Sequence, residues 1–334
     1  MKANISVHSY SLPLVCPLDL AGEWMESREG WLVELVTESG QRGWGEVAPL
    51  PGASSRGELS AVPEWNPELF DSERVTPSVS CGLDMAFFNL GDGDSMPDPL
   101  KMLEVKPRDI PINALLIGEP DNMVLQARVA QREGYRTMKI KVGRRSPATE
   151  VQILHKINQA VSDDVVFRLD ANRSWVEEDA DRYLDVLSEM NIEYVEEPFA
   201  DPHYSLSWSE RTGVPVALDE SIRSLEPAAL HAYAGIRAVV LKPTLMGGLV
   251  RCATYAEAAR DIGAYPVVSA LMESGVGTLS LARFATAVCD PETAVGLDTY
   301  RWLSDDVLSP RLQFKDGCLS ADQLDWQQYS VSVG

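Results

Sequence analysis

Eight short apolar runs recur along residues 111–297 with starts about 22–28 residues apart, and this regularity constrains the fold more than any other feature of the chain. They are PINALLI (111–117), TMKIKV (137–142), VVFRLD (165–170), IEYVEE (192–197), PVALD (215–219), RAVVLK (237–242), YPVVSA (265–270) and TAVGL (293–297). Helix-like stretches separate them; in one, Val151, Leu154, Ile157 and Val161 fall at helical spacing. Each repeat has the length of one βα unit. Near-continuous apolar strands alternating with amphipathic helices predict a parallel sheet covered on both faces. Eight such units within about 190 residues predict closure into a barrel rather than an open doubly wound sheet. The open sheet would usually carry a glycine-rich phosphate loop after its first strand, and LLIGEPDN is not of the GxGxxG kind.

The region before the repeats reads differently. WLVELVTESG ends in a Ser39-Gly40 turn and QRGWGEVAPL resumes after it, which predicts a hairpin. Residues 50–76 are rich in Pro, Gly, Ser and Glu and suit loops and short helices, and PSVSCGLDMAFFNLGDG suits a helix ended by glycine. A further apolar run, RLQFKDGCLSA, follows the repeats. The expected organisation is an N-terminal α+β capping domain over 1–105, a barrel over 106–310, and a tail over 311–334 that returns to the capping domain. At 334 residues the chain is long enough for two domains.

Charge decides whether the barrel has a working end. Catalytic groups of such barrels sit at the C-terminal ends of the strands. Here strand two carries Lys139 and Lys141, and strand three ends in Arg168 and Asp170 with Asn172 beyond. Strand four ends in Glu196 and Glu197, strand five in Asp219 and Glu220, and strand six in Lys242. Asp170, Glu196 and Asp219 therefore lie on consecutive strands about 4.8 Å apart. Three carboxylates on one arc can meet at one cation. Oxygen donors select a hard ion, Mg²⁺ first and Mn²⁺ second. The four histidines, His8, His155, His203 and His231, fall away from the strand ends. Lys139 and Lys141 share the inward face, opposite Lys242 across a ring of eight. Crowded, buried amines lose their protons more readily, so a lysine here can serve as a general base. A metal beside it would hold a carboxylate and stabilise the enediolate formed by proton loss; the handful of established enzyme patterns of this kind includes the lysine-plus-Mg²⁺ sites of the enolase superfamily. Glu197 and Glu220 alternate away from the lumen and are read as supporting or capping residues. A structural Lys–Asp ion-pair network without catalysis is the bland alternative.

Five motifs carry a family resemblance: K-x-K (Lys139 to Lys141), D-A-N (Asp170 to Asn172), E-E-P (Glu196 to Pro198), D-E-S (Asp219 to Ser221) and K-P-x-x-x-G-G (Lys242 to Gly248). In these the chain resembles the enolase superfamily, in its muconate-lactonizing-enzyme subgroup, over nearly its whole length. The resemblance implies an α+β capping domain, a modified (β/α)8 barrel and one Mg²⁺ held by Asp170, Glu196 and Asp219. It also implies that Lys141 and Lys242 are an acid/base pair on opposite faces of the substrate. G-W-G-E-x-A-P-L-P-G-x-S (Gly43 to Ser54), the stretch from Pro77 to Ala86, R-L-D-A-N-R (Arg168 to Arg173) and G-L-D-T (Gly296 to Thr299) make it most similar to the o-succinylbenzoate synthase family within that subgroup. That family implies syn dehydration of 2-succinyl-6-hydroxy-2,4-cyclohexadiene-1-carboxylate in menaquinone synthesis. Lys141 would take the alpha proton and then protonate the departing hydroxyl, while Lys242 stabilises the intermediate. Lys139, Arg168, Ser269 and Gly52 are expected to touch substrate, with the loops around Pro51-Gly52 and Ser269–Gly277 enclosing its succinyl arm.

Two other readings stay open. An N-succinylamino acid racemase or dipeptide epimerase would share both lysines, although dipeptide epimerases carry D-x-D after strand eight, where this chain has Asp298-Thr299-Tyr300. Racemases with a His after strand seven are disfavoured by Val267-Val268-Ser269. A non-catalytic barrel that binds a metal or ligand is the third reading. The expected partner is a small carboxylate. With 50 acidic against 29 basic residues the net charge is −21, which disfavours nucleic acid and anionic membranes. Five scattered cysteines, no CxxC pair and no long apolar segment suit a cytoplasmic protein without a transmembrane span.

Overall fold

The computed structural model describes residues 3–20, 22–54, 75–90 and 98–333. Three antiparallel strands, β1 (Ala3–Leu20), β2 (Glu23–Thr37) and β3 (Arg42–Val47), open the chain in the order β1-β2-β3. The predicted hairpin is β2-β3, with Trp31 opposite Val47 and Val36 opposite Arg42. Helix α1 (Pro77–Asn89) packs on this sheet; Thr76 caps it and Pro77 occupies its first turn. The two glycines of GWG explain how close the packing is. A Cβ at Gly43 would strike the carbonyl oxygen of Ala86, and one at Gly45 that of Gly82, so only glycine lets α1 lie directly on β3. The expected loops and short helices of 50–76 fall mostly on residues 55–74, outside the described residues.

A parallel sheet follows, in the order β5 (Asn113–Leu116), β6 (Thr137–Lys141), β7 (Val166–Asp170), β8 (Ile192–Glu196), β9 (Val216–Leu218), β10 (Ala238–Leu241) and β11 (Tyr265–Val268). The longer helices between them are α2 (Pro120–Arg132), α3 (Pro147–Asn158), α4 (Pro202–Thr212) and α5 (Leu249–Asp261), and α6 (Gly275–Val288) follows β11. Seven of the eight predicted runs are therefore strands. The eighth, 293–297, is not. It joins the two free edges through single bridges, Val295 to Ile112 and Gly296 to Ser269. Asn113 N–H donates to Val295 O (3.0 Å) and Ala270 N–H to Gly296 O (2.8 Å). The barrel is a curled seven-stranded sheet latched by one extended segment.

The barrel interior is packed with side chains. Tyr194, Ala217, Ala238 and Val267 form one buried cluster, while the larger core lies between sheet and helices. The tail divides in two. Its hairpin, β12 (Phe314–Lys315) and β13 (Cys318–Leu319), pairs with β4 (Ile110–Pro111) just before the barrel. Residues Leu324–Val331 instead face Gln41, Arg42, Trp44 and Asn89 of the N-terminal unit across a crevice.

Two carboxylates of the N-terminal unit, Glu46 buried and Asp84 half-buried, join it to the barrel. Asp84 of α1 accepts the Val250 N–H (3.0 Å) at the start of α5. Glu46 of β3 accepts N–H groups of Ser274 (2.9 Å) and Gly277 (2.8 Å), the Ser274 hydroxyl (2.6 Å) and the Tyr10 hydroxyl, at the start of α6. The first amides of a helix lack partners within it and attract negative charge, so each carboxylate serves a helix of the other unit. Buried Arg28 of β2 adds donation to Met272 O (3.0 Å). Among the described residues no helix is long and apolar enough to cross a membrane.

Candidate active site

Side chains two apart on a strand share a face, so Lys139 and Lys141 point into the barrel from β6, Arg168 and Asp170 from β7, and Tyr194 and Glu196 from β8. Asp219 and Lys242 directly follow β9 and β10. At the rim these groups meet. Lys139 Nζ lies 2.6 Å from Glu196 Oε2 and 2.7 Å from Asp170 Oδ2. Lys141 Nζ donates to the same Asp170 oxygen (2.6 Å) and to Asn172 Oδ1 (2.8 Å). Lys242 donates to Asp219. Asn172 is fixed in turn by donation to Glu220 Oε1 (3.0 Å). Glu197 points away from the lumen, as its alternation requires, and accepts from Asp219 N–H (2.6 Å), the Ser221 N–H and hydroxyl, and Arg173 Nε (3.2 Å). Asn172, Arg173 and Glu197 all hold left-handed backbones, with φ of 44°, 65° and 42°. Side chains other than glycine rarely adopt this region, and it persists where surrounding bonds enforce it; here Arg173 N–H donates to Glu197 O at 2.7 Å.

The electrostatics divide the three lysines. Burial pushes the Lys141 amine below its ordinary value, against the pull of Asp170, and the positive Lys139 and Lys242 push it further. Burial acts the same way on Lys139 and Lys242, but the carboxylates beside them prevail and both are raised. Asp170 is buried yet held well below the carboxylate range by Lys139 and Lys141. Glu196 is pushed up to about 8 by burial and by repulsion from Asp170.

As they stand, no three His, Cys, Asp or Glu side chains among the described residues are gathered closely enough to hold a metal ion. The three carboxylates expected around a cation are neighbours on one rim, but each faces a lysine. The donor set nevertheless fits a hard divalent ion. All three residues offer oxygen. Glu196 Oε1 is buried without a hydrogen-bond partner, and its carboxyl is the one most burdened by like charge. A lone buried acceptor next to two other carboxylates is what a cation would satisfy.

A cleft of about 700 Å³ opens above this rim. Lys139, Lys141, Lys242 and Ser269 line it, as expected. Two expected contacts do not. Arg168 lies two residues deeper on β7 than Asp170, about 6.6 Å along the strand. It is fully buried and committed to Glu193 Oε2 (2.6 Å), Ala294 O (2.7 Å) and Asn113 Oδ1 (3.2 Å), with its guanidinium 5.1 Å from the centre of the Tyr194 ring. It braces the barrel interior and the closing segment and takes no part in the cleft lining. Gly52 sits in a turn outside the lining, and Leu50 supplies the wall there. Of the loop after β11 only Ser269 to Met272 face the cleft; Glu273 turns to Thr244 and Ser274 to Glu46. The sequence reading missed the β1–β2 turn, whose Leu18, Asp19, Leu20 and Gly22 form part of the wall. Asn172 of D-A-N holds Lys141, a role its motif does not reveal, and Arg144 on the loop after β6 joins the lining without any sequence signal.

A family model described as MenC, N-terminal domain, matches residues 2–90, and one described as enolase C-terminal domain-like matches residues 122–324. The o-succinylbenzoate synthase of Photorhabdus laumondii is 33% identical over 304 residues, covering 88% of this chain and 89% of its own. The chain belongs to the o-succinylbenzoate synthase family of the enolase superfamily. A second o-succinylbenzoate synthase, from Proteus mirabilis, is 32% identical over 306 residues and covers 89% of this chain and 90% of its own. Solved structures share the fold of this o-succinylbenzoate synthase family member. Muconate lactonizing enzyme from Pseudomonas fluorescens aligns with a TM-score of 0.85 at 19% identity, covering 98% of this chain and 96% of its own. The L-Ala-D/L-Glu epimerase from Bacillus subtilis aligns at 0.80 and 23%, covering 95% of each chain.

Proposed function

We propose that this protein is an o-succinylbenzoate synthase, dehydrating 2-succinyl-6-hydroxy-2,4-cyclohexadiene-1-carboxylate to 2-succinylbenzoate, with Lys141 as the proton carrier. The observation that carries the reading is the placement of two amines, Lys141 on β6 and Lys242 after β10, on opposite walls of one cleft with the carboxylates of β7 to β9 between them. Asp170, Glu196 and Asp219 would hold Mg²⁺, or Mn²⁺ as the second choice. Such an ion supplies positive charge against the ring carboxylate and so favours loss of the neighbouring proton.

The lysine walls carry the rest. The neutral Lys141 amine takes the hydrogen alpha to the carboxylate, and the electrons of that C–H bond move toward the carboxylate. They return into the ring as the C–O bond to the hydroxyl breaks. The Lys141 ammonium gives its proton to the departing hydroxyl, so that water leaves and the amine is restored. One group can serve both steps because the hydrogen and hydroxyl leave from the same face. Asn172 and Asp170 aim the Lys141 nitrogen. Lys242, on the other face, stays charged and faces the electron-rich ring. Five unpaired cysteines suit a reducing compartment such as the cytoplasm.

The epimerase reading needs a carboxylate free to bind a substrate ammonium. Asp298 is the candidate, and its oxygens already accept from Leu115 N–H (2.9 Å) and the Tyr135 hydroxyl (2.9 Å), with Arg301 3.6 Å away. The deciding experiment is steady-state formation of 2-succinylbenzoate with Mg²⁺ and with a chelator, beside racemisation of N-succinyl amino acids. Metal-dependent dehydration is expected. Racemisation as the sole turnover would overturn the assignment.

A further inference from the structure

Four cations line the cleft, and three of them are spent: Lys139, Lys141 and Lys242 each face a carboxylate at the rim. The fourth, Arg144, has no side-chain ion pair or hydrogen bond among the described residues. Its backbone, by contrast, is tightly held. Buried Glu150 accepts the N–H groups of Gly143 (2.7 Å), Arg144 (2.8 Å) and Arg145 (3.0 Å), and the Tyr183 hydroxyl (2.7 Å). Arg145 turns away to Gly118 O and Glu119. The loop after β6 therefore presents one guanidinium to the cleft from a fixed root.

Neither acid of the lining pairs with it. Asp19 accepts Gly22 N–H (2.8 Å) within its own turn, and Asp298 is occupied as described. Besides the lysines, the cleft thus offers apolar wall from Leu18, Leu20, Leu50 and Leu115, together with a single uncommitted positive group. A planar guanidinium pairs with a carboxylate through two parallel hydrogen bonds. We propose that Arg144 is a specificity-determining residue that binds the second, distal carboxylate of a dicarboxylate substrate, while the first carboxylate lies at the lysine end. This rests on the dehydratase reading and identifies that distal group with the end of the succinyl arm.

The test uses the Mg²⁺-loaded full chain and two probes, 2-succinylbenzoate and 2-butyrylbenzoate, which lacks the distal carboxylate. Titration calorimetry should show the wild type preferring the first. Arg144→Met should weaken 2-succinylbenzoate about 10- to 100-fold, the loss for one charged hydrogen-bonded pair, and leave 2-butyrylbenzoate unchanged. Arg144→Lys should recover part of the difference, and turnover should show a raised KM with kcat nearly kept, the signature of lost uniform binding. If Arg144→Met retains the wild-type preference, or weakens both probes equally, the role of Arg144 is overturned while the dehydratase assignment stands. If the wild type neither binds 2-succinylbenzoate nor dehydrates the cyclohexadiene, both fall together.

Discussion

Exchanging Asp84 for asparagine tests how the N-terminal unit is fastened to the barrel. Asp84 is half-buried at the start of α5, and loss of solvent there raises its carboxyl from 3.8 to about 6 despite the N–H groups of Val250 and Leu249 that lower it. A group raised in the folded state binds more protons folded than unfolded between those two values. The sign follows. Below about pH 3.8 the carboxyl is neutral in both states and contributes nothing. As pH rises from 3.8 to about 6 the unfolded chain ionises ahead of the fold, and stability falls by about 3 kcal/mol in all, at 1.36 kcal/mol per pH unit, then levels off. Asparagine keeps an oxygen for Val250 but never ionises. The wild type should therefore lose about 2.4 kcal/mol of this relative to Asp84→Asn between pH 4 and pH 7. Urea unfolding followed by tryptophan fluorescence at both values measures the difference. A gap between the two proteins that stays constant with pH would refute the reasoning.

Other substitutions separate chemistry from support. Lys141→Ala should abolish formation of 2-succinylbenzoate, at least about a hundredfold for loss of a general acid/base, yet leave Mg²⁺ binding by calorimetry nearly intact. Asp219→Asn should do the reverse first, weakening Mg²⁺ binding measured without substrate by about tenfold or more, with activity partly recovered at high metal. Glu46→Ala strips acceptors from Ser274, Gly277 and Tyr10, and leaving buried donors unpaired should lower stability by about 2–4 kcal/mol in thermal unfolding.

The parts of the molecule legible in the sequence were those written in period and motif. The strand rhythm located β5 to β11, because parallel strands buried on both faces must be apolar throughout. The lysines and carboxylates were legible because alternation along a strand fixes which side chains face inward. The same rule does not say how deep each one sits, so alternation puts Arg168 with the substrate contacts although it lies beneath Asp170 and outside the cleft lining. Run 293–297 looks like a strand but has only the width to bridge two edges, a fact set by how far the other seven curl. The cleft wall from Leu18 to Gly22 carries no chemical signature at all, since leucines beside a turn are equally suited to any surface of the N-terminal sheet. Arg144 was hidden for the opposite reason: exposed arginines are common, and only the commitments of its neighbours single it out.

Strand β3 has two duties within a few residues. Glu46 grips the start of α6, and Leu50, just beyond the strand, stands over the cleft. Arg28 holds the carbonyls of Ala48 and Pro49 between the anchor and the wall, so the backbone above the lysines is fixed by bonds that do not depend on the side chain at Leu50. If Lys141 and Lys242 act as proposed, exchanges at Leu50 or at Leu18 and Leu20 should reshape which acids fit without moving the amines below, so that selectivity and reactivity can be altered separately.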